Sequence, residues 1–113
     1  MMKGYDKNEA LQFISRHIRR ADHPLLADRM DALLSEIIDA DMAYMHEAGV
    51  LDEEGNAGDS YYEDDDAFEY MVEAVVAQNN LSPEEAVKIA SLVNDYMDLQ
   101  QEYLESKGLV DWE

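Results

Sequence analysis

The stretch LSPEEAVKIASLVNDYMDLQQEYLESKG, residues 81–108, decides the fold, because it carries both the start and the stop signals of one long helix. Ser82 is a natural N-cap, Pro83 suits the first helical position, and Glu85 completes a capping box. Gly108 suits the left-handed position that often follows a helix. Apolar residues recur between these signals every three or four positions, namely Ile89, Val93, Tyr96, Met97, Tyr103 and Leu104. The pattern predicts a helix over 82–107 with one buried face.

Three further amphipathic stretches predict helices over 6–21, 24–48 and 61–79. The start signals are Asp6 with Glu9 for the first, Pro24 for the second, and a capping box of Ser60 with Glu63 for the third. Between the second and third helices, residues 49–60 form an acidic linker, and residues 109–113 form a short tail after the fourth.

Helix two matches helix four at an offset of 59 residues, because Pro24 aligns with Pro83 and Gly49 with Gly108. Each long helix follows a shorter one across a tight turn. We therefore expect an all-α fold, an antiparallel four-helix bundle made of two tandem αα-hairpins. The hairpins would span 6–48 and 61–108 of a single domain over residues 1–113.

The charge of the chain restricts its partners. The 113 residues carry a net charge of −19 and no cysteine, which excludes disulfides and a catalytic thiol. Such a charge repels nucleic-acid phosphates and anionic membranes and attracts basic proteins or metal cations. Neither a signal peptide nor a membrane span is visible, so we expect a cytoplasmic location. Solubility, or adaptation to high salt, is an alternative reason for the charge.

The main candidate surface runs from the linker into helix three, over residues 52–73. Its carboxylates predict the binding of a basic protein partner, in the manner of a nucleic-acid mimic or a regulator. The residues assigned to this surface are Asp52, Glu53, Glu54, Asp59, Glu63, Asp64, Asp65, Asp66, Glu69 and Glu73. We expect no catalytic residue, since no motif of nucleophilic or phosphate-binding chemistry is present.

A divalent-cation-dependent enzyme or cation-binding protein is the alternative. Residues 52–63, DEEGNAGDSYYE, place oxygen-bearing side chains as in a calcium loop, although Ala57 replaces the glycine that the sharp turn needs. The candidate calcium or magnesium ligands are Asp52, Glu54, Asn56, Ser60 and Glu63. Paired acids also recur on the long helices, as Glu36 with Asp39 and Asp95 with Asp98, but their helical phase predicts that they face solvent.

Two polar residues interrupt the apolar faces of the long helices at equivalent positions. Asp41 falls inside the stripe of helix two, and Gln100 falls inside that of helix four. We expect both to be buried in one polar layer that fixes the register of the hairpins, or else to line a small polar pocket. Burial would raise the pKa of Asp41.

The positive charge of the chain is concentrated near the first turn. Its arginines, Arg16, Arg19, Arg20 and Arg29, cluster there with His17 and His23 and form a basic elbow. This elbow predicts either anion binding or ion pairs with acids of the same chain or of a second copy. Helix two also has a wide apolar arc, extended by Leu25, Ile38 and Met42, which suggests a homodimer through this helix.

Overall fold

A computed structural model describes residues 5–24, 26–51 and 62–108, and these form an all-α fold. Each helix contacts the next along the chain, and the first also contacts the fourth, which is consistent with a four-helix bundle. None of the helices in these three segments is both long and apolar enough to cross a membrane. The helices are α1 at Lys7–His17, α2 at Met30–Glu47, α3 at Asp64–Asn79 and α4 at Pro83–Ser106.

Local capping signals define the start of α1 and both ends of α4. The Asp6 carboxylate accepts a hydrogen bond from the backbone N–H of Glu9 at 3.1 Å. Ser82 and Glu85 form the complete capping box, with the Glu85 N–H donating to Ser82 Oγ at 3.3 Å. Gly108, just past α4, has a φ of +67°, the left-handed conformation that favours glycine.

The segment between α1 and α2 differs from the sequence expectation at both sides. α1 ends at His17 rather than near Ala21, because the next residue, Ile18, is extended with a ψ of 137° and is buried in the core. A 3₁₀ turn at Arg20–Asp22 follows, and Pro24 lies in a turn rather than at a helix start.

The start of α2 predicted at Pro24 is therefore wrong. A second 3₁₀ turn at Ala27–Arg29 precedes the helix. The dihedral angles of Arg29, φ −116° and ψ 13°, lie outside the α-helical region, so regular helix begins at Met30.

The predicted capping box of α3 is also wrong. Glu63 is the N-cap of this helix rather than its third residue, and its side chain makes no capping hydrogen bond. Ser60 lies outside the described residues. Three consecutive aspartates, residues 64–66, occupy the first turn, where carboxylates are stabilised by the positive end of the helix dipole.

The core is built from the apolar stripes of the four helices, and it also buries the residues that widen the apolar arc of α2. Ile38 and Met42 are both buried within the chain, so neither leaves an apolar flank for a second copy, and Leu25 lies outside the described residues. The homodimer remains a prediction without this support. The largest fully buried side chains include Tyr96, Tyr103, Ile14, Met30, Leu33, Leu34, Ile37, Met71, Ile89 and Leu92.

Replacing Ser82 by Ala should lower the free energy of unfolding by about 1 kcal/mol, because α4 would lose its capping hydroxyl. Ser91→Ala is the matched control, since Ser91 is exposed within α4 and alanine favours helix there. Urea denaturation of both variants measures the difference. Equal stability of S82A and S91A would show that the cap does not stabilise the folded state.

Candidate functional site

A cleft between α2, α3 and α4 brings together the polar core residues and part of the acidic surface. Its volume is about 380 Å³. Asp41 and Gln100 both line it, although they come from different helices. The remaining lining residues are Met45, Tyr62, Asp64, Asp65, Phe68, Asn94, Met97, Asp98, Gln101 and Leu104.

Asp41 is the central polar group of this cleft, and its residue is only 1% exposed. Each carboxylate oxygen accepts one hydrogen bond from a tyrosine. Tyr62 donates to Oδ1 at 2.7 Å, and Tyr96 donates to Oδ2 at 2.7 Å. Because Tyr62 lies just before the N-cap of α3 and Tyr96 belongs to α4, the carboxylate of α2 connects three parts of the fold.

Among the described residues the Asp41 carboxylate has no cationic partner, and those that line the cleft include no lysine, arginine or histidine. Desolvation by burial raises the pKa of Asp41 from 3.8 to about 6. The hydrogen bonds from Tyr96 and Tyr62 and the nearby Gln100 amide oppose that increase, while the charge of Asp64 adds to it. Asp41 also contributes to the raised pKa values of both tyrosine hydroxyls, after desolvation by burial.

Gln100 is 4% exposed, and its hydrogen-bond partner is Tyr5, which lies just before α1. The Tyr5 hydroxyl donates to its Oε1 at 3.0 Å. Its Nε2 is buried and has no hydrogen-bond partner in the described part of the chain. The amide is near enough to lower the pKa of Asp41, but the two side chains are not joined by a direct hydrogen bond of good geometry.

The acidic surface predicted from the sequence is described only in part. Asp52, Glu53, Glu54 and Asp59 lie outside the described residues, as do Asn56 and Ser60 of the candidate calcium loop. The six others are all exposed at the start and along one side of α3, and they are Glu63, Asp64, Asp65, Asp66, Glu69 and Glu73. Of these six, Asp64 and Asp65 also line the cleft.

The paired acids of the long helices have separate partners. Asp39 forms an ion pair with Lys7 at 2.8 Å, and Glu36 accepts a hydrogen bond from Asn79 at 3.0 Å. Asp95 contacts His23. Within segments 5–24, 26–51 and 62–108, no group of three or more histidines, aspartates or glutamates is arranged to hold a metal ion. These segments therefore give no geometric support to the alternative of a cation-dependent enzyme or cation-binding protein.

A contact between His23 and Asp95 was not predicted. His23 is buried, and its Nε2 lies 2.6 Å from Asp95 Oδ2, which ties the segment after α1 to the middle of α4. The sequence offered only the position of His23 among the arginines of the elbow. Arg16, Arg19 and Arg29 are exposed, and the side chain of Arg20 is outside the described part.

Comparisons with models of protein families, with characterised proteins and with solved structures found no match to this chain. The site is therefore interpreted from its own geometry.

The buried carboxylate should make stability depend on pH. Between about pH 4 and pH 6 the folded state keeps a proton on Asp41 that the unfolded state has lost, so stability falls as the pH rises through this window and levels off above it. The shift corresponds to about 3 kcal/mol. Asp41→Asn should remove this contribution, while Asp28→Asn, at an exposed position, should keep it. The free energies of unfolding of the wild type and both variants are measured by denaturation at about pH 4 and about pH 7. The same pH dependence in D41N and in the wild type would contradict the assignment of this effect to Asp41.

Gln100→Leu should destabilise the fold by about 1–3 kcal/mol, because the buried Tyr5 hydroxyl would lose its acceptor. Adding Tyr5→Phe to that variant should recover much of the loss, since both polar groups would then be gone. Gln101→Leu, at the exposed neighbouring position, is the control. A double-mutant cycle by urea denaturation gives the coupling free energy between the two side chains. Additive losses of unfolding free energy would show that Tyr5 and Gln100 do not interact.

Proposed function

We propose that this chain is a non-enzymatic binding protein whose α3 surface docks onto a basic protein partner. The observation that supports the proposal is that the α3 carboxylates are exposed and form no ion pair within the described segments. The sequence has no lysine or arginine between residues 31 and 87. The ion pairs found in the described segments join Lys7 to Asp39, His23 to Asp95 and Lys107 to Glu9, and none reaches α3.

Repulsion between the carboxylates of α3 destabilises the folded state. Asp65, Glu69 and Glu73 recur every four residues and so lie along one side of α3, where like charges at this spacing repel by a few tenths of a kcal/mol per pair. The helix dipole stabilises the aspartates of the first turn but has little effect on Glu69 and Glu73, which lie beyond it. A partner that supplies lysine or arginine would remove this repulsion on binding.

The geometry indicates a partner with a regular row of positive charge. Four residues of helix rise by about 6 Å, so the carboxylates form an evenly spaced line along α3. Nucleic-acid phosphates also form a row of regularly spaced negative charges, which lysine and arginine side chains of proteins bind. A protein that binds nucleic acid is therefore the partner class that fits best, and this chain would regulate it by occupying its binding surface.

We also propose that the chain is built from two related tandem hairpins. The equivalent positions Gly49 and Gly108 both have a positive φ, of +80° and +67°. Tyr44 and Tyr103 are both buried, as are Asp41 and Gln100. These matches support two related hairpins, although α2 begins later than the offset of 59 residues implies.

A variant that neutralises the part of α3 outside the cleft, Asp66→Asn with Glu69→Gln and Glu73→Gln, should lose the partner. The wild-type chain, immobilised and exposed to cell extract, should capture a basic protein in a salt-sensitive manner, because the attraction is between exposed charges. Duplex DNA should compete with the immobilised chain for the captured protein.

A control triple variant, Glu84→Gln with Glu102→Gln and Glu105→Gln, changes the net charge equally at exposed positions of α4. It should retain the captured protein. Equal loss of the captured protein in both triple variants would show that the net charge of the chain, rather than the α3 surface, is responsible for the capture. Capture that is unaffected by the α3 variant would contradict the proposal, and circular dichroism checks that both variants remain helical.

A further inference from the structure

The cleft between α2, α3 and α4 has unused hydrogen-bonding capacity at its buried end. An ionised carboxylate can accept about four hydrogen bonds. From the described residues Asp41 accepts two, donated by Tyr62 and Tyr96. Gln100, beside it, has a buried Nε2 without a partner in the described residues. Buried polar atoms are normally satisfied, so an unsatisfied amide next to a buried charge indicates that the cluster is incomplete without a further group.

The charge of the cleft determines the sign of that group. Asp64 and Asp65 from α3 and Asp98 from α4 line the cleft together with Asp41, and all three are exposed. A positive ligand would interact with the outer carboxylates as it enters and with the Asp41 carboxylate when bound. The gain would be largest at Asp41, since charges attract more strongly where water is excluded.

The apolar part of the cleft determines the shape of the ligand. Met45, Phe68, Met97 and Leu104 line it, from all three helices. These side chains suit a chain of methylene groups, which a hydrated metal ion lacks. Divalent metals also require several converging oxygen ligands, and no such group is found in the described residues. An ammonium group on an aliphatic chain satisfies both the charge and the apolar lining.

We propose that this cleft binds an aliphatic ammonium group, carried either by a free polyamine or by a lysine side chain of another protein. This inference is independent of the α3 partner, because the free amine suffices to test it. In the bound state the ammonium donates to a free lone pair of Asp41. A half-turn of the Gln100 amide then presents Oε1 to the ammonium, while Nε2 donates to the Tyr5 hydroxyl, which can accept as well as donate.

Methionine methyl groups provide a direct test in the wild-type protein. Met45 and Met97 line the cleft, whereas Met30 and Met71 are buried elsewhere in the core. Titration with 1,4-diaminobutane, followed by NMR of ¹³C-labelled methionine methyl groups, should shift the Met45 and Met97 signals along saturating curves. The Met30 and Met71 signals should stay in place. Shifts that are linear in amine concentration, or equal at all four methionines, would overturn the proposal.

Substitution of Asp41 tests which group holds the amine. Asp41→Asn keeps the volume but removes the charge, so affinity should fall by about tenfold or more, the usual effect of losing a charge-assisted hydrogen bond. Asp28→Asn, at an exposed position that does not line the cleft, should leave affinity unchanged. If D41N does not fold, Asp98→Asn is used in its place and should weaken binding by a smaller factor. Unchanged affinity in the folded variant that is tested would overturn the proposal.

Two further titrations separate the sources of the ammonium group. A peptide with one lysine should saturate the same methyl shifts if the group comes from a protein, and the same peptide with that lysine acetylated should not. Saturation by the diamine alone identifies a free polyamine. If neither probe saturates the shifts, the cleft proposal is wrong. The proposal that the α3 surface binds a basic protein is not affected by that result. The α3 triple variant should bind the amine as the wild type does, since Asp66, Glu69 and Glu73 do not line the cleft.

Discussion

The hydrogen-bonded carboxylate of Asp41 is the constraint on which the rest of the structure depends. Its two oxygens accept hydrogen bonds from Tyr62 and Tyr96, so one buried group of α2 fixes the position of α4 and of the residues that lead into α3. Hydrogen bonds to a charged group contribute about 1.5–3 kcal/mol each. Removing the carboxylate from water opposes this gain, and burial accordingly raises the pKa of Asp41 to about 6. The cluster thus determines geometry more than it adds net stability.

The parts of the fold that were predictable from the sequence are those governed by local interactions. The capping box at Ser82 and the glycine that follows α4 involve residues within a few positions of one another, so the chain itself displays them. The burial of Asp41 and Gln100 follows from helical phase, which is equally local. The identity of their tyrosine partners was not predictable, because Tyr5, which precedes α1, meets Gln100 across a separation of 95 positions in the chain.

The error at the end of α1 also comes from long-range packing. α1 was expected to continue towards Ala21, but Ile18 leaves the helix and enters the core. The turns after it bring His23 to Asp95, a residue 72 positions away in the chain. Propensity favours a longer helix at this point, and tertiary packing overrides it. The start of α3 is a separate, local case, because Glu63 is the N-cap without a capping hydrogen bond and the helix dipole stabilises the three aspartates of the first turn.

The contact between α1 and α4 has a consequence for the order of folding during synthesis. The hydrogen bond from Tyr5 to Gln100 spans 95 positions, and that from Tyr103 to Glu9 spans 94. The apolar side of α1 therefore leaves the ribosome long before the helix that covers it exists. The chain must hold this face against α2 alone, or leave it exposed, until α4 has emerged, and contacts between distant positions generally slow the folding of a chain. Acidic residues that repel other copies of the chain during that interval would protect it from aggregation.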